Sequence, residues 1–228
     1  MILDNTKMKL NGIQLAVIEL LGFYHISHLV KLHSQLVSLP IIPYYWITFT
    51  IMTGIWETFY LCYREKVKTI SHQLERNREH VWTNYYSPIK LIPSDFSLIF
   101  YSEYGAYADR EYIRLRDNWS LDIEGTHALF CGLTSLIGIL TKLLNGPQWL
   151  IWITISMSCQ LMNSVLYLGQ YFIQIKSPDS VNFDTPFFPC GPYLLKRPFM
   201  YINIFWTIMP LYILFKILFF SNLYDQIL

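Results

Sequence analysis

Five stretches of this chain are each apolar enough, and close enough to the length of about 20 residues that a bilayer demands, to be read as spanning helices. They cover residues 12–30, 43–63, 121–141, 149–173 and 198–221. The expected fold is therefore all-α, an integral membrane bundle of about five transmembrane helices. The first run is the most polar, carrying Glu19, His25 and His28. The second holds one charge, Glu57, and the third has Asp122 and Glu124 in its first turn. The fourth holds no formal charge, and the fifth contains Pro210 and, near its end, Lys216.

Composition agrees. Of 228 residues, 53% are hydrophobic and only 14% charged, against about 25% charged in an ordinary soluble domain. At this length the whole chain, residues 1–228, reads as one domain. Its 7 Trp, 17 Tyr and 15 Phe suit a bundle anchored by amphipathic rings at headgroup depth. A net charge of +1 implies no nucleic acid partner. Cys62, Cys131, Cys159 and Cys190 are scattered without a CxxC pair, so neither a metal site nor a disulfide framework is expected. Residues 1–11 carry no leader pattern, and the first helix is expected to act as the insertion signal.

Asn145-Gly146-Pro147 is a turn signal that makes the third and fourth helices antiparallel neighbours. Residues 64–120 form the one large extramembrane segment. Its charged first part, through Trp82, reads as a short amphipathic helix. The Pro-flanked stretch 88–101 is expected to lie on the membrane surface or to cover a pocket. Nine of the 17 Lys and Arg fall between Arg64 and Arg116, three between Lys176 and Arg197, and two at Lys7 and Lys9. With five spans these all lie on one side, which the positive-inside rule assigns to the cytosol.

Ionisable groups at membrane depth are costly and usually face the bundle interior. Glu57 and Glu124 fall at comparable depth near the cytosolic ends of their helices. His127 shares a helix face with Glu124 at i+3, whereas Asp122 points away. Asn203 and Trp206, again three apart, lie near the cytosolic end of the last helix, and Gln160 lies closer to mid-membrane. These residues are expected to line one apolar pocket open toward the cytosolic leaflet. Carboxyl and imidazole groups buried together suit proton transfer on a lipid-like substrate, and a Trp face can stabilise a carbocation. Each residue alone also has a plainer role: a membrane Glu or Asn as interhelical glue, Trp206 as an interface anchor, Asp117 and Asn118 as a helix cap. Asp122 would be favoured by the helix dipole, and Glu19, His25 and His28 read as structural.

Residues 107–132, YADREYIRLRDNWSLDIEGTHALFCG, resemble the signature of the emopamil-binding protein family, within the wider EXPERA group. Asp117-Asn118-Trp119 precedes Glu124 at the family's spacing. Gln160 with Val165-Leu166-Tyr167 looks like its fourth helix, Asn203 to Trp206 with Pro210 looks like its fifth, and Glu57 matches its second-helix Glu. The resemblance spans a core of about residues 40–222. It implies a five-helix bundle of the endoplasmic reticulum that shifts a sterol double bond from Δ8 to Δ7 through a carbocation, without any cofactor. By matched position, Glu57 and Glu124 would be the acid/base carboxylates, Trp206 the cation shield and Asn203 an orienting group. Thr53, Tyr112, Asp117, Gln160 and Tyr167 would line the substrate pocket.

Two departures bear on chemistry. The family's catalytic His is replaced by Thr53, and its functional Thr by His127, as though the two had exchanged between facing helices. Its Asp on the fourth helix is Ser164 here. One reading has His127 supply the imidazole from the opposite wall, hydrogen-bonded to Glu57 or Glu124. The other has the donor lost, leaving a non-catalytic sterol-binding or trafficking protein like the sigma-2 receptor. Both imply a sterol or sterol-like lipid ligand and cationic amphiphilic amines, and a homodimer is compatible with either. No inverted repeat points to a transporter.

Overall fold

A computed structural model describes residues 9–109, 113, 118–174 and 198–225. They form six helices: α1 (Gly12–Leu32), α2 (Ile41–Asn77), α3 (Pro93–Glu103), α4 (Asn118–Leu143), α5 (Trp149–Gln174) and α6 (Pro198–Asp225). A two-residue clasp pairs β1 (Leu10–Asn11) antiparallel with β2 (Tyr85–Tyr86). Among the described residues, four helices are long and apolar enough to cross a membrane, over Gly12–Leu32, Asp122–Leu143, Trp149–Gly169 and Phe199–Phe219. The chain is a multi-pass helical membrane protein.

The expected second span, residues 43–63, lies within α2 and is not among those four. It is the helix that the others surround: α2 packs chiefly on α4 and α3, α4 on α5, and α5 on α6. A central helix meets protein rather than lipid, so it can carry Thr48, Thr50 and Thr53 beside its apolar residues. The charged stretch after Tyr63 is helical, as expected, up to Asn77, and it is joined to the apolar part of α2 across a kink. No Gly or Pro interrupts residues 55–77, so α2 runs on through a kink at Tyr63 (φ −115°, ψ 15°) and ends at Arg78 in the left-handed region (φ 57°).

Small residues let α2 and α4 touch at the backbone, as membrane helices often do. A Cβ on Gly54 would stand 2.9 Å from the Ala128 carbonyl oxygen and 3.0 Å from the Gly132 Cα. Arg64, just past the kink, pairs with Asp122, which answers the question of where Asp122 points. The turn signal between α4 and α5 folds as expected, with Asn145 at φ 58° and the Gly146 N–H donating to the Thr141 carbonyl at 2.8 Å. Ser156 then crosses back from α5, bonding the Cys131 carbonyl and the Ser135 hydroxyl at 2.8 Å each.

Helix α1 lies on the outside, starting with a capping box between Asn11 and Gln14. It runs antiparallel to α2 and is fastened to it by polar contacts. Tyr44 donates to the Ser27 carbonyl at 2.7 Å, and the His28 ring nitrogen lies 2.6 Å from the Tyr45 hydroxyl. Trp56 donates to Glu19 at 3.5 Å. Glu19 and His28, which have no evident partner in the sequence, are thus both engaged by α2. Between the two helices the Lys31 ammonium is buried among three carbonyls, those of Leu36, Val37 and Leu39, with the Tyr44 ring 5.2 Å away.

Helix α3 lies along α2. Ser97 donates to the Trp56 carbonyl at 2.7 Å and Ser71 to the Ser102 carbonyl at 2.9 Å. One π-helical turn, Tyr104–Ala108, follows it. Of the two expectations for residues 88–101, the second holds: the stretch packs on α2, and its Phe96, Phe100 and Tyr101 line the cavity described below.

Candidate functional site

The helices enclose a cavity of about 710 Å³, which is within the usual range for small-molecule sites. Its walls are mostly apolar, and the polar side chains enter from every long helix except α1. From α2 come Thr50, Thr53 and Glu57; from α4, Glu124 and His127; from α5, Gln160, Asn163 and Ser164; from α6, Asn203 and Trp206. Helix α3 and the π-turn add Phe96, Phe100, Tyr101 and Tyr104. Leu20, Tyr201, Ile202 and Phe205 complete the rim and are exposed on the outside of the bundle.

Eight of the ten residues singled out in the sequence thus share one space: Thr53, Glu57, Glu124, His127, Gln160, Tyr167, Asn203 and Trp206. Tyr112 and Asp117, and also Cys190, lie outside the described residues. Among the described residues no group of three or more His, Cys, Asp or Glu is placed to hold a metal ion.

Each carboxylate has a neutral donor. The Tyr101 hydroxyl donates to Glu57 at 2.7 Å, and the Asn163 amide donates to Glu124 at 2.8 Å. The Tyr101 ring is stacked on Tyr60 with centroids 4.7 Å apart and stands edge-on to Phe100. Burial, and then the Glu57 carboxylate, hold the Tyr101 phenol well above its ordinary pKa, so it stays the donor. Tyr104, one turn on, is likewise raised by burial and by Asp109, and it bonds the Asn203 side chain. Asn203 also donates to the Phe199 carbonyl at 2.9 Å.

His127 faces the cavity, but its bonding differs from the expected contact with a carboxylate. Its Nε2 lies 2.9 Å from the Cys159 carbonyl oxygen and 3.4 Å from the Cys131 sulfur. A carbonyl only accepts, so Nε2 carries the proton and the other nitrogen, in a neutral ring, is an acceptor. Thr53 donates to the Thr50 carbonyl at 3.1 Å, which is a local helix bond rather than a contact with Glu57. Ser164, where the signature has an acid, donates to the Trp206 carbonyl at 3.4 Å.

Aromatic rings of α2 and α6 form part of the same lining. Trp206 meets Trp46 edge-on at 4.9 Å and Phe49 at 5.3 Å. Trp46 is fixed in turn by its indole N–H, which donates to Gln160 at 2.8 Å, and the Gln160 amide donates to Thr50 at 3.4 Å. Gln160 therefore orders the wall as well as lining the cavity.

The fold and this space define a helical membrane protein with a mostly apolar cavity into which two carboxylates, an imidazole and an indole all reach. No family model matches the chain, and no curated protein and no solved structure matches it.

Proposed function

We propose that this protein is a sterol Δ8-Δ7 isomerase-like enzyme of the endoplasmic reticulum, related to the emopamil-binding proteins. The observation that carries this reading is that Glu57 and Glu124, held on different helices, line the same apolar cavity as Trp206 and Asn203. In the reaction one carboxylic acid donates a proton to the Δ8 alkene, leaving a tertiary carbocation. The carboxylate left on the other side removes a neighbouring ring proton, and the double bond reforms at Δ7. No electrons are gained or lost, so the shift requires no redox cofactor. Trp206 would face the cation with its negative ring quadrupole, and Tyr101 and Asn163 would hold the two carboxylates in place.

In this reading residues 43–63 of α2 are a fifth span, and the basic segments place the N-terminal side of the bundle in the cytosol. The cavity then opens toward the cytosolic leaflet. Cationic amphiphilic amines are expected to bind as mimics of the carbocation, and a homodimer is compatible with the exposed helix faces.

One observation favours a second reading, a non-catalytic sterol-binding protein like the sigma-2 receptor. Thr53 and Ser164 bond backbone carbonyls, as does the Nε2 of His127. The Nε2 proton of His127 is thus given to a backbone carbonyl rather than to an acid of the pair. Turnover separates the two. The chain is expressed in yeast lacking its own Δ8-Δ7 isomerase and the sterols are profiled by mass spectrometry. Conversion of the accumulated Δ8-sterol to the Δ7-sterol supports the enzyme. No conversion by folded, membrane-inserted protein sinks it in favour of the binding protein.

A further inference from the structure

The polar contacts between α1 and α2 fix the depth of everything packed against them. Glu19 meets Trp56, Ser27 meets Tyr44 and His28 meets Tyr45, so the antiparallel register brings Gly12, the start of the first span, level with Tyr63. That level is where α2 kinks and where Arg64 pairs with Asp122, the first residue of another span. It marks the edge of the apolar layer.

Ser97 of α3 bonds the Trp56 backbone, which lies inside that edge by about seven residues, or about 10 Å of helix. Helix α3 also runs parallel to α2, because Ser97 lies at Trp56 while Tyr101 lies at Glu57 and Tyr60. Its N-terminus at Pro93 is consequently deeper than Ser97. The chain reaches this depth from β2, which is clasped to β1 just before Gly12.

We infer that residues 87–103 are re-entrant: the chain enters the bilayer beside α1, turns at Pro88–Ile92, and returns outward as α3, with Ile89 and Ile92 against lipid acyl chains. The local chemistry suits that environment. Irregular backbone at membrane depth is tolerated only where its polar groups are satisfied. Here Pro88 and Pro93 carry no N–H at all. Lys90 donates its N–H to the Ser87 carbonyl at 3.0 Å, Ile92 to Ile89 at 3.1 Å, and Asp95 and Phe96 both to Ile92 at 2.9 Å. The two charges in the turn neutralise each other, Lys90 to Asp95 at 2.8 Å. Yet Ile89 and Ile92 remain 57% and 46% exposed, and the turn that carries Ile89 adjoins α1.

The test uses nitroxide labels at Ile89→Cys and Ile92→Cys in full-length protein carrying Cys62→Ser, Cys159→Ser and Cys190→Ser, with Cys131 left in place because it is buried, reconstituted in phosphatidylcholine liposomes. Collision with oxygen, which concentrates in the acyl region, is compared with collision with a water-soluble nickel chelate. Val17→Cys on α1 serves as the lipid reference and Thr69→Cys, beyond the kink, as the aqueous one. Both labelled isoleucines are expected to favour oxygen as Val17 does. The inference is overturned if they follow Thr69, or if both reagents are excluded because another part of the chain covers them. Neither result depends on turnover. The labelled sites are exposed, so the labels disturb no packing, and each site decides the question without the other.

Discussion

The hydroxyl of Tyr101 donates to the carboxylate of Glu57 at 2.7 Å, joining a short helix that packs on the bundle to an acid on its central helix. Removing that bond while keeping the ring separates its role from packing. Tyr101→Phe retains the stack on Tyr60 and loses the donor. A hydrogen bond to a charged group is worth about 1.5–3 kcal/mol, and a loss of that order is expected in the thermal unfolding of detergent-solubilised protein.

The two carboxylates are expected to be unequal to their supports. If the protein is the proposed isomerase, Glu57→Gln and Glu124→Gln each remove one of its two acid–base groups and should lower turnover by at least about 10²-fold. Asn163→Ala leaves both acids in place and should cost less. Side-by-side rates of sterol conversion in membranes check the order, and an Asn163→Ala loss as deep as that of Glu124→Gln would refute it. His127→Ala provides the sharpest test of the imidazole: conversion as fast as the parent's would exclude it from the chemistry.

Alkaline pH should destabilise the bundle through Tyr101 and Tyr104. Both phenols are raised well above the ordinary value, chiefly by burial. The unfolded chain ionises its tyrosines near pH ~10 while the folded chain keeps these two protonated. Their contribution is therefore fully present below that pH and lost as pH rises through the folded values. Thermal midpoints measured from pH 8 to 11 should fall on the alkaline side, and Tyr104→Phe should flatten the fall.

Gly54 tolerates no side chain. Its added Cβ would press on the Ala128 carbonyl and on Gly132, backbone atoms that cannot turn aside, so Gly54→Val should cost about 1–3 kcal/mol or more. Gly22→Ala is the matched control, since a Cβ there meets nothing within 4 Å. Thermal-shift assays on the two variants should diverge, with Gly22→Ala near the parent.

The apolar runs and the turn at Asn145 were legible in the sequence because each rests on a local rule. The convergence of Glu57, Glu124, His127, Asn203 and Trp206 on one cavity followed from depth and helix face alone. Asn163 was less visible, since a lone Asn on a spanning helix carries no sign of the acid it bonds. Tyr101 was hidden for a different reason: α3 is placed by tertiary contacts with α2, and its sequence reads equally as a surface stretch or a pocket cover. The helix in the charged stretch after Tyr63 was legible, but its junction with α2 through a kink was not, because the apolar pattern ends there. Thr53 and His127 lie opposite one another in the sequence argument, but their hydroxyl and ring bonds go to neighbouring carbonyls, a choice no motif reports.

Lys31 has a consequence of its own. Three carbonyls converging on one positive charge form the kind of seat that a loop ordinarily offers a dissolved ion, and here the occupant is tethered to the preceding helix by its own side chain. An ion that cannot leave cannot be diluted or exchanged. The corner between the first two helices thus carries a permanent, built-in counter-charge, and its shape is independent of the salts on either side of the membrane.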